Sequence, residues 1–146
     1  MFSAHIIAQY FLSLTDEESG DVMTNLKLQK LLYYAQGFHL ALFRTPLFID
    51  NLEAWMHGPV VRSVYFQYNE YGSQPIPKPD DFDTESIHAE TRLFLDEVYE
   101  VYGQFSAWKL RDMIHQETPW NSTPLNTVIP HEKLEEFFQT RITPDE

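Results

Sequence analysis

Residues 53–59 are the first stretch whose residue types could perform chemistry or bind a ligand. Trp55 lies two positions before His57, and Gly58 and Pro59 follow at once. Because glycine permits unusual backbone angles and proline suits the first helical position, this stretch predicts a rigid start of a helix. Backbone N–H groups at such a start could bind a carboxylate or another anion. The simpler interpretation, a packed tryptophan and a histidine in a turn, stays open.

A second stretch of this kind contains His115, Glu117 and Trp120. The histidine and the glutamate could form an acid/base pair or half of a metal site. Residues two positions apart do not share a helix face, however, and zinc sites usually have three protein ligands. The sequence therefore predicts no metal and no cofactor. We expect His115 and Glu117 to hydrogen-bond to each other and to brace the loop that contains Pro119 and Trp120.

The motifs of the common catalytic classes are missing from the chain. It has no glycine-rich phosphate loop, no Gly-x-Ser-x-Gly motif, no His-Glu-x-x-His motif and no cysteine. The lack of cysteine also excludes disulfides and thiolate zinc sites. The sequence thus predicts a protein that is not an enzyme and has no catalytic residues. An enzyme that acts on a small molecule or a nucleotide near His57 and His115 is the alternative.

Two further groups of side chains are candidates for contact with a partner protein. Tyr65, Tyr68 and Tyr71 follow one another at close spacing, and tyrosine is enriched at interfaces because it combines a large contact area with a polar tip. Packing in the core is the alternative for these rings. Lys27 and Lys30 lie beside the apolar stripe of a predicted helix, where they would either contact an acidic group of a partner or form a solvated helix face.

Helices must position these side chains, since apolar residues recur at helical spacing along most of the chain. A helix over residues 24–43, capped by Thr24 or Asn25, has the clearest apolar stripe and predicts the central helix of the fold. The pattern predicts six helices, over residues 3–14, 24–43, 59–71, 86–102, 107–116 and from Pro130 onward. A small two-stranded ribbon is expected near residues 47–56, around Asp50 and Asn51. The predicted fold is a single, mainly α domain over residues 1–146, a compact bundle around the central helix.

The charge of the chain is strongly negative and unevenly distributed. The 146 residues carry a net charge of −12, and residues 80–146 hold fifteen acidic against five basic side chains. Such a surface repels nucleic acid and attracts basic proteins. Solubility alone is the alternative explanation of the charge. No secretory signal pattern and no apolar run of transmembrane length is evident. We therefore expect a cytoplasmic protein with no direct nucleic-acid partner and no membrane partner.

Three motifs resemble those of a known family. Residues 26–37, with the sequence LKLQKLLYYAQG, resemble the opening signature of the Panacea, or SocA-like, antitoxin domain, a family that includes the phage-associated GepA-like proteins. Residues 53–72, with their Trp, Gly-Pro and spaced tyrosines, are similar to its second signature. The stretch that contains His115, Glu117, Pro119 and Trp120 is similar to its third. The motifs occur in the order that the family shows, and the resemblance covers nearly the whole chain.

This resemblance implies a helical antitoxin that neutralises a cognate protein toxin, usually encoded by a neighbouring gene. An adaptor that delivers its partner to a protease is the alternative that the family also implies. We expect the partner to contact Lys27, Lys30, Trp55, His57, Tyr65, Tyr68 and Tyr71. We expect the contact site to be braced by Gly58, Pro59, His115, Glu117 and Trp120. The tyrosine-rich surface would also allow a homodimer.

Overall fold

The fold is mainly helical, as predicted from the sequence. The structure, a computed structural model, describes residues 1–142, and residues 143–146 of the predicted domain lie outside the described part. Within residues 1–142 the chain forms seven α-helices and one two-stranded antiparallel sheet. The elements are α1 (Ala4–Ser13), α2 (Asn25–Phe43), β1 (Glu53–Trp55), β2 (Gly58–Val60), α3 (Arg62–Gln67), α4 (Ala89–Tyr102), α5 (Ala107–His115), α6 (Thr118–Asn121) and α7 (His131–Gln139).

Helix α2 is the central element, and the prediction of a central helix over residues 24–43 is confirmed. The side chain of Thr24 caps its N-terminus by accepting a hydrogen bond from the backbone N–H of Lys27. The helix ends at Arg44, whose φ of 64° is left-handed although the residue is not glycine. Helices α1, α4, α5 and α7 and strand β2 all pack against α2. Because neighbours surround it, α2 is buried on every side rather than along one stripe.

The closest helix pair is α2 with α7, and a glycine makes the close approach possible. The ring of Phe138 lies over Gly37, where a Cβ atom would overlap it. Phe138 also meets the rings of Tyr33, Tyr34 and Phe38 within 6 Å of their centroids. The aromatic side chains of α7 therefore fill a depression on α2 that any larger residue at position 37 would close.

The small sheet lies later in the chain than predicted. A ribbon around Asp50 and Asn51 was expected, but the strands pair Glu53 with Val60 and Trp55 with Gly58. Asp50 lies outside the hairpin, and its carboxylate accepts hydrogen bonds from residues distant in the sequence. It accepts from the backbone N–H of Ala4 at 2.8 Å and from the hydroxyl of Ser63 at 3.0 Å. Ala4 is the first residue of α1, and Ser63 is the second residue of α3. Asp50 thus joins the starts of two helices.

The predicted helix over residues 59–71 is shorter in the structure. Gly58 and Pro59 belong to β2, and α3 begins only at Arg62, so the prediction of Pro59 as the first helical residue is wrong. Pairing with β1 holds residues 58–60 extended, and the φ of Gly58 is 128°, a value that favours glycine. After α3 a single 3₁₀ turn covers Asn69–Tyr71.

Two other differences from the predicted elements are small. Helix α6 forms within a stretch predicted as an ordered loop, with Pro119 in its first turn, where proline is well tolerated. The helix predicted over residues 86–102 begins at Ala89, after a 3₁₀ turn at Thr84–Ser86. Among residues 1–142, no helix has both the length and the apolar character that a membrane crossing requires.

Candidate functional site

Glu117 is a buried carboxylate that links the third sequence motif to the first. It is 3% exposed, and its two oxygens accept hydrogen bonds from the hydroxyls of Tyr33 and Tyr34, each at 2.9 Å. Burial raises the pKa of Glu117, and the two tyrosine hydrogen bonds oppose that rise. Burial, followed by the nearby Glu117 carboxylate, likewise raises the pKa of both tyrosines. The junction between α5 and α6 is therefore fixed to the middle of α2.

The hydrogen bond expected between His115 and Glu117 does not form. The imidazole of His115 instead stacks on the indole of Trp120, with ring centroids 4.1 Å apart and planes nearly parallel. The indole N–H of Trp120 donates to the backbone carbonyl of Trp55 at 2.8 Å. The third motif is thus joined to the hairpin of the second motif, and no pattern in the sequence indicates this particular pairing.

Strands β1 and β2 carry an aromatic cluster that continues onto α3. The indole of Trp55 lies edge-on to the ring of Tyr65 at 5.0 Å and contacts Phe66 at 6.2 Å. The N–H of the same indole donates to the carboxylate of Glu53 at 3.0 Å. The backbone carbonyl of Tyr65 accepts from the side-chain amide of Asn25 in α2. Trp55 and Tyr65 are half-buried. The hydrogen bond to Glu53 holds Trp55, and the hydrogen bond from Asn25 holds the backbone of Tyr65.

Beside this hairpin lies a surface that we call the hairpin face, made of the exposed Met56, His57, Phe66 and Trp108 and the half-buried Arg111. Trp108 and Arg111 belong to α5, which packs against β2. Met56, Phe66 and Trp108 are 67%, 53% and 68% exposed. The guanidinium of Arg111 lies over the Trp108 ring, 4.8 Å from its centroid. Exposed tryptophan, methionine and arginine side chains are typical of the centre of protein interfaces. The sequence singled out only His57 of these five.

Lys27 and Lys30 are both buried, so the interpretation of a solvated helix face is wrong for them. The ammonium of Lys27 donates to the backbone carbonyl of Gly103 at 2.6 Å and ties α2 to the end of α4. Burial lowers its pKa. Lys30 is 2% exposed and lies beside Gly58, under the hairpin. Burial and the charge of Arg111 lower the pKa of Lys30 to about 8.

The three tyrosines of the second motif do not lie together. Tyr65 joins the cluster on the hairpin, whereas Tyr68 and Tyr71 are partly buried against the main hydrophobic core. Burial raises the pKa of Tyr68. Packing against the main core therefore distinguishes Tyr68 and Tyr71 from Tyr65, because the helix that was expected to hold all three in one row ends at Gln67.

Two buried amide side chains of α2 hold the backbone of neighbouring segments, and neither was predicted from the sequence. The carbonyl oxygen of Gln29 accepts from the backbone N–H of Val61, just before α3, and its amide donates to Asn25. The carbonyl oxygen of Gln36 accepts from the backbone N–H groups of Leu47 and Phe48. Gln29 and Gln36 could have been predicted as buried hydrogen-bonding residues, because both are polar and lie inside an apolar helical stretch. A polar side chain in such a place must find a hydrogen-bonding partner.

No metal site is formed by the part of the chain that the structure describes. Among residues 1–142, no three His, Asp or Glu side chains come together in a way that could hold a metal ion. His57 is exposed in the hairpin turn, whereas the ring of His115 is stacked on Trp120. What the site offers chemically is apolar contact area, hydrogen-bond donors and positive charge, on a rigidly held hairpin.

Comparison with known proteins supports a family assignment. No curated protein and no solved structure gives a significant match to the chain. The family model described as "Antitoxin SocA-like, Panacea domain" matches residues 28–121, which is more than half of the chain and includes the hairpin, Glu117 and Trp120. The chain therefore belongs to the SocA-like antitoxin family that carries the Panacea domain.

Proposed function

We propose that this chain is the antitoxin of a toxin–antitoxin system and neutralises a cognate protein toxin by binding it directly. The toxin would be encoded by a neighbouring gene, and both proteins would act in the cytoplasm. Membership of an antitoxin family supports the general role. The antitoxin acts here by covering a surface of the toxin, and it makes or breaks no covalent bond.

The observation that carries this proposal is the exposed apolar area of the hairpin face. Met56, Phe66 and Trp108 expose more than half of their surface, although burying them within this chain would have been favourable. The backbone beneath them is held by Trp120 and Gln29. A rigid aromatic surface binds with little loss of conformational entropy, so the hairpin face is suited to a protein partner.

Other side chains named from the sequence are assigned according to their positions. Trp55, His57 and Tyr65 belong to the contact surface or its immediate edge. Gly58, Pro59, His115, Glu117 and Trp120 hold that surface in shape. Lys27, Tyr68 and Tyr71 lie within the fold in the free chain, and their contact with the toxin stays a prediction.

Co-expression with each neighbouring reading frame tests the proposal. One neighbour should arrest growth when expressed alone and should be tolerated when this chain is present. Met56→Asp should abolish rescue, because a carboxylate in the centre of an apolar interface is desolvated without a partner. Leu93→Asp on α4 is the matched control, since Leu93 is 66% exposed and away from the hairpin. If no neighbour is both toxic and rescued, the proposal fails.

The same experiment separates masking from delivery to a protease. Under masking, rescue persists in a host that lacks the cytoplasmic proteases, and the toxin accumulates in a stable complex. Under delivery, rescue disappears in that host although the complex still forms. Rescue that depends on the protease would replace the masking mechanism with the adaptor mechanism.

A further inference from the structure

Lys30 is a buried ammonium group without a carboxylate partner in the described part of the chain. It is 2% exposed, and its hydrogen bond goes to the backbone carbonyl of Leu26 at 3.4 Å, which is long. No ion pair within residues 1–142 includes Lys30. A buried charge is costly unless an opposite charge compensates it. With a pKa of about 8, Lys30 nevertheless stays protonated at neutral pH.

Further basic groups lie near Lys30, and within residues 1–142 no buried carboxylate forms an ion pair with them. The positive charge of Arg111 lowers the pKa of both Lys30 and His115, so the three groups lie within electrostatic reach of one another. His57 acts on His115 in the same direction. The opposing acid is Asp112, which is 3.9 Å from the guanidinium of Arg111 and points toward solvent. Positive charge therefore exceeds negative charge beneath the hairpin.

A buried nitrogen of His115 is the second indication that a hydrogen-bonding partner is missing at this position. Its Nε2 atom is buried and has no hydrogen-bond partner within residues 1–142. Nearly all buried polar atoms in proteins do have a partner. The ring cannot turn freely to find one, because it stacks on Trp120. A ligand that accepts a hydrogen bond at this position would satisfy His115, and the charge of Lys30 acts on the same ring.

Gly58 leaves the hairpin side of Lys30 without a side chain. A Cβ atom at position 58 would lie 3.7 Å from the Nζ atom of Lys30, in direct contact with the ammonium. Since the φ of 128° also favours glycine, only backbone of the hairpin lies over this side of the ammonium, at the position where β2 packs against α2.

We propose that Lys30, Arg111 and His115 form a binding site for one carboxylate, presented by an aspartate or glutamate side chain of the partner protein. The identity of this partner rests on the proposed function. The ring of Trp108 lies against the guanidinium of Arg111 and would exclude water from the ion pair, which strengthens it. A nucleic acid is disfavoured, because its repeated phosphates would meet the net charge of −12.

The site refines the expectation that an acidic surface attracts a basic partner. Long-range attraction would still bring the partner toward the antitoxin. At the centre of the contact the charges are reversed, with a cation on the antitoxin and an acid on the toxin. A basic protein without that acid would bury Lys30 and Arg111 unpaired, and this penalty discriminates against wrong partners.

Nuclear magnetic resonance of the histidine rings tests the site directly in the full chain. The probes are N-acetyl-glutamate α-amide, which carries one carboxylate, its neutral glutamine counterpart, and inorganic phosphate. We expect the carboxylate probe to shift the ring signals of His115 in a saturable manner and the neutral probe to leave them unchanged. If the carboxylate probe causes no saturable shift, or if phosphate alone does so, the proposal is overturned.

Two variants assign the binding to the named residues. Lys30→Met and Arg111→Gln should each weaken binding of the carboxylate probe roughly tenfold, the effect of losing one charge-assisted hydrogen bond. Arg44→Gln removes one positive charge from an exposed pair with Glu135 and is the matched control. If Lys30→Met does not fold, Arg111→Gln alone decides. Equal binding by Arg111→Gln and by the control would refute the site.

The outcomes also separate this site from the proposed function. Carboxylate binding without any rescued neighbouring toxin would retain the site and reject the antitoxin mechanism. Rescue that survives in Arg111→Gln, together with no carboxylate binding by the wild-type chain, would retain the mechanism and reject the site.

Discussion

Two tyrosine hydroxyls and one carboxylate join distant parts of the chain at Glu117. The hydroxyls of Tyr33 and Tyr34 come from the centre of α2, and the carboxylate comes from a residue more than eighty positions later. Tyr34 also stacks on Tyr102 of α4, with centroids 3.9 Å apart. A buried network of this kind is stable only while every member has its partner. The loss of one member should therefore cost more than one ordinary hydrogen bond.

Glu117→Ala should destabilise the fold by about 3 kcal/mol, because it leaves two buried hydroxyls without an acceptor. Tyr34→Phe is the matched variant, since it keeps the ring stacked on Tyr102 and deletes one donor. We expect that variant to cost about 1 kcal/mol. Urea denaturation followed by circular dichroism measures both free energies of unfolding. Equal losses for the two variants would contradict the role of Glu117 as a shared acceptor.

The pKa of Glu117 gives this contact a characteristic pH dependence. Burial raises the folded-state pKa above the ordinary value of 4.5, so the folded state holds its proton more tightly than the unfolded state. The contribution of Glu117 to stability is then fully present below pH 4.5 and declines as the pH rises through the folded-state pKa. The advantage of wild type over Glu117→Gln should shrink over this range. An advantage that grows with pH would show that the pKa is lowered instead.

Single residues also mark the limit of sequence-based prediction. Trp55, His115, Glu117 and Trp120 were singled out because of their types and spacing, and the structure brings their two stretches together. The burial of Lys27 was not predictable, because its acceptor is the carbonyl of Gly103, seventy-six positions away. Helical periodicity assigns a residue to a face, but it carries no information about which distant element covers that face.

At the scale of elements, α2 and the hairpin show why some parts of the fold were predictable. The N-cap and the apolar stripe of α2 are local signals, and both ends of the helix were predicted correctly. The position of the hairpin depends on distant backbone. The N–H of Ala54 donates to Thr127, and the N–H of Ile129 donates to Leu52. This third segment holds β1 in place, and nothing between residues 47 and 60 indicates it.

The close contact between α2 and α7 predicts that a glycine-to-alanine change will alter stability in the direction opposite to the usual one. Glycine to alanine inside a helix normally stabilises a protein, by about 0.5–1 kcal/mol. Gly37→Ala should instead destabilise this fold by about 1–3 kcal/mol, because the added methyl group overlaps the ring of Phe138. Thermal denaturation of Gly37→Ala measures the loss.

Phe138→Leu provides the control for this prediction. A smaller side chain at position 138 makes room for the methyl group, so the cost of Gly37→Ala should largely disappear in the Phe138→Leu background. An undiminished cost in that background would show that the overlap with Phe138 is not its cause.

At the scale of the whole molecule, the proposed function gives the hairpin face and the excess negative charge different roles. Under that proposal, the net charge of −12 would act at long range and govern how often a basic toxin meets this chain. The hairpin face would act at short range and govern how long the complex lasts. The two contributions can be separated because the acidic side chains of α4, among them Glu90, Glu97 and Glu100, are exposed and lie away from the hairpin.

Changing Glu90, Glu97 and Glu100 together to glutamine should therefore slow association with the toxin without changing dissociation. We expect the association rate to fall a few-fold at low salt and its salt dependence to weaken, because steering is screened beyond about 10 Å at 0.1 M ionic strength. Phe66→Ala, in contrast, should speed dissociation and leave the salt dependence unchanged, since it removes contact area and no charge. Stopped-flow association and dissociation at several salt concentrations measure both. If the glutamine variant altered dissociation instead, α4 would be part of the contact surface, and the hairpin face would not account for binding on its own.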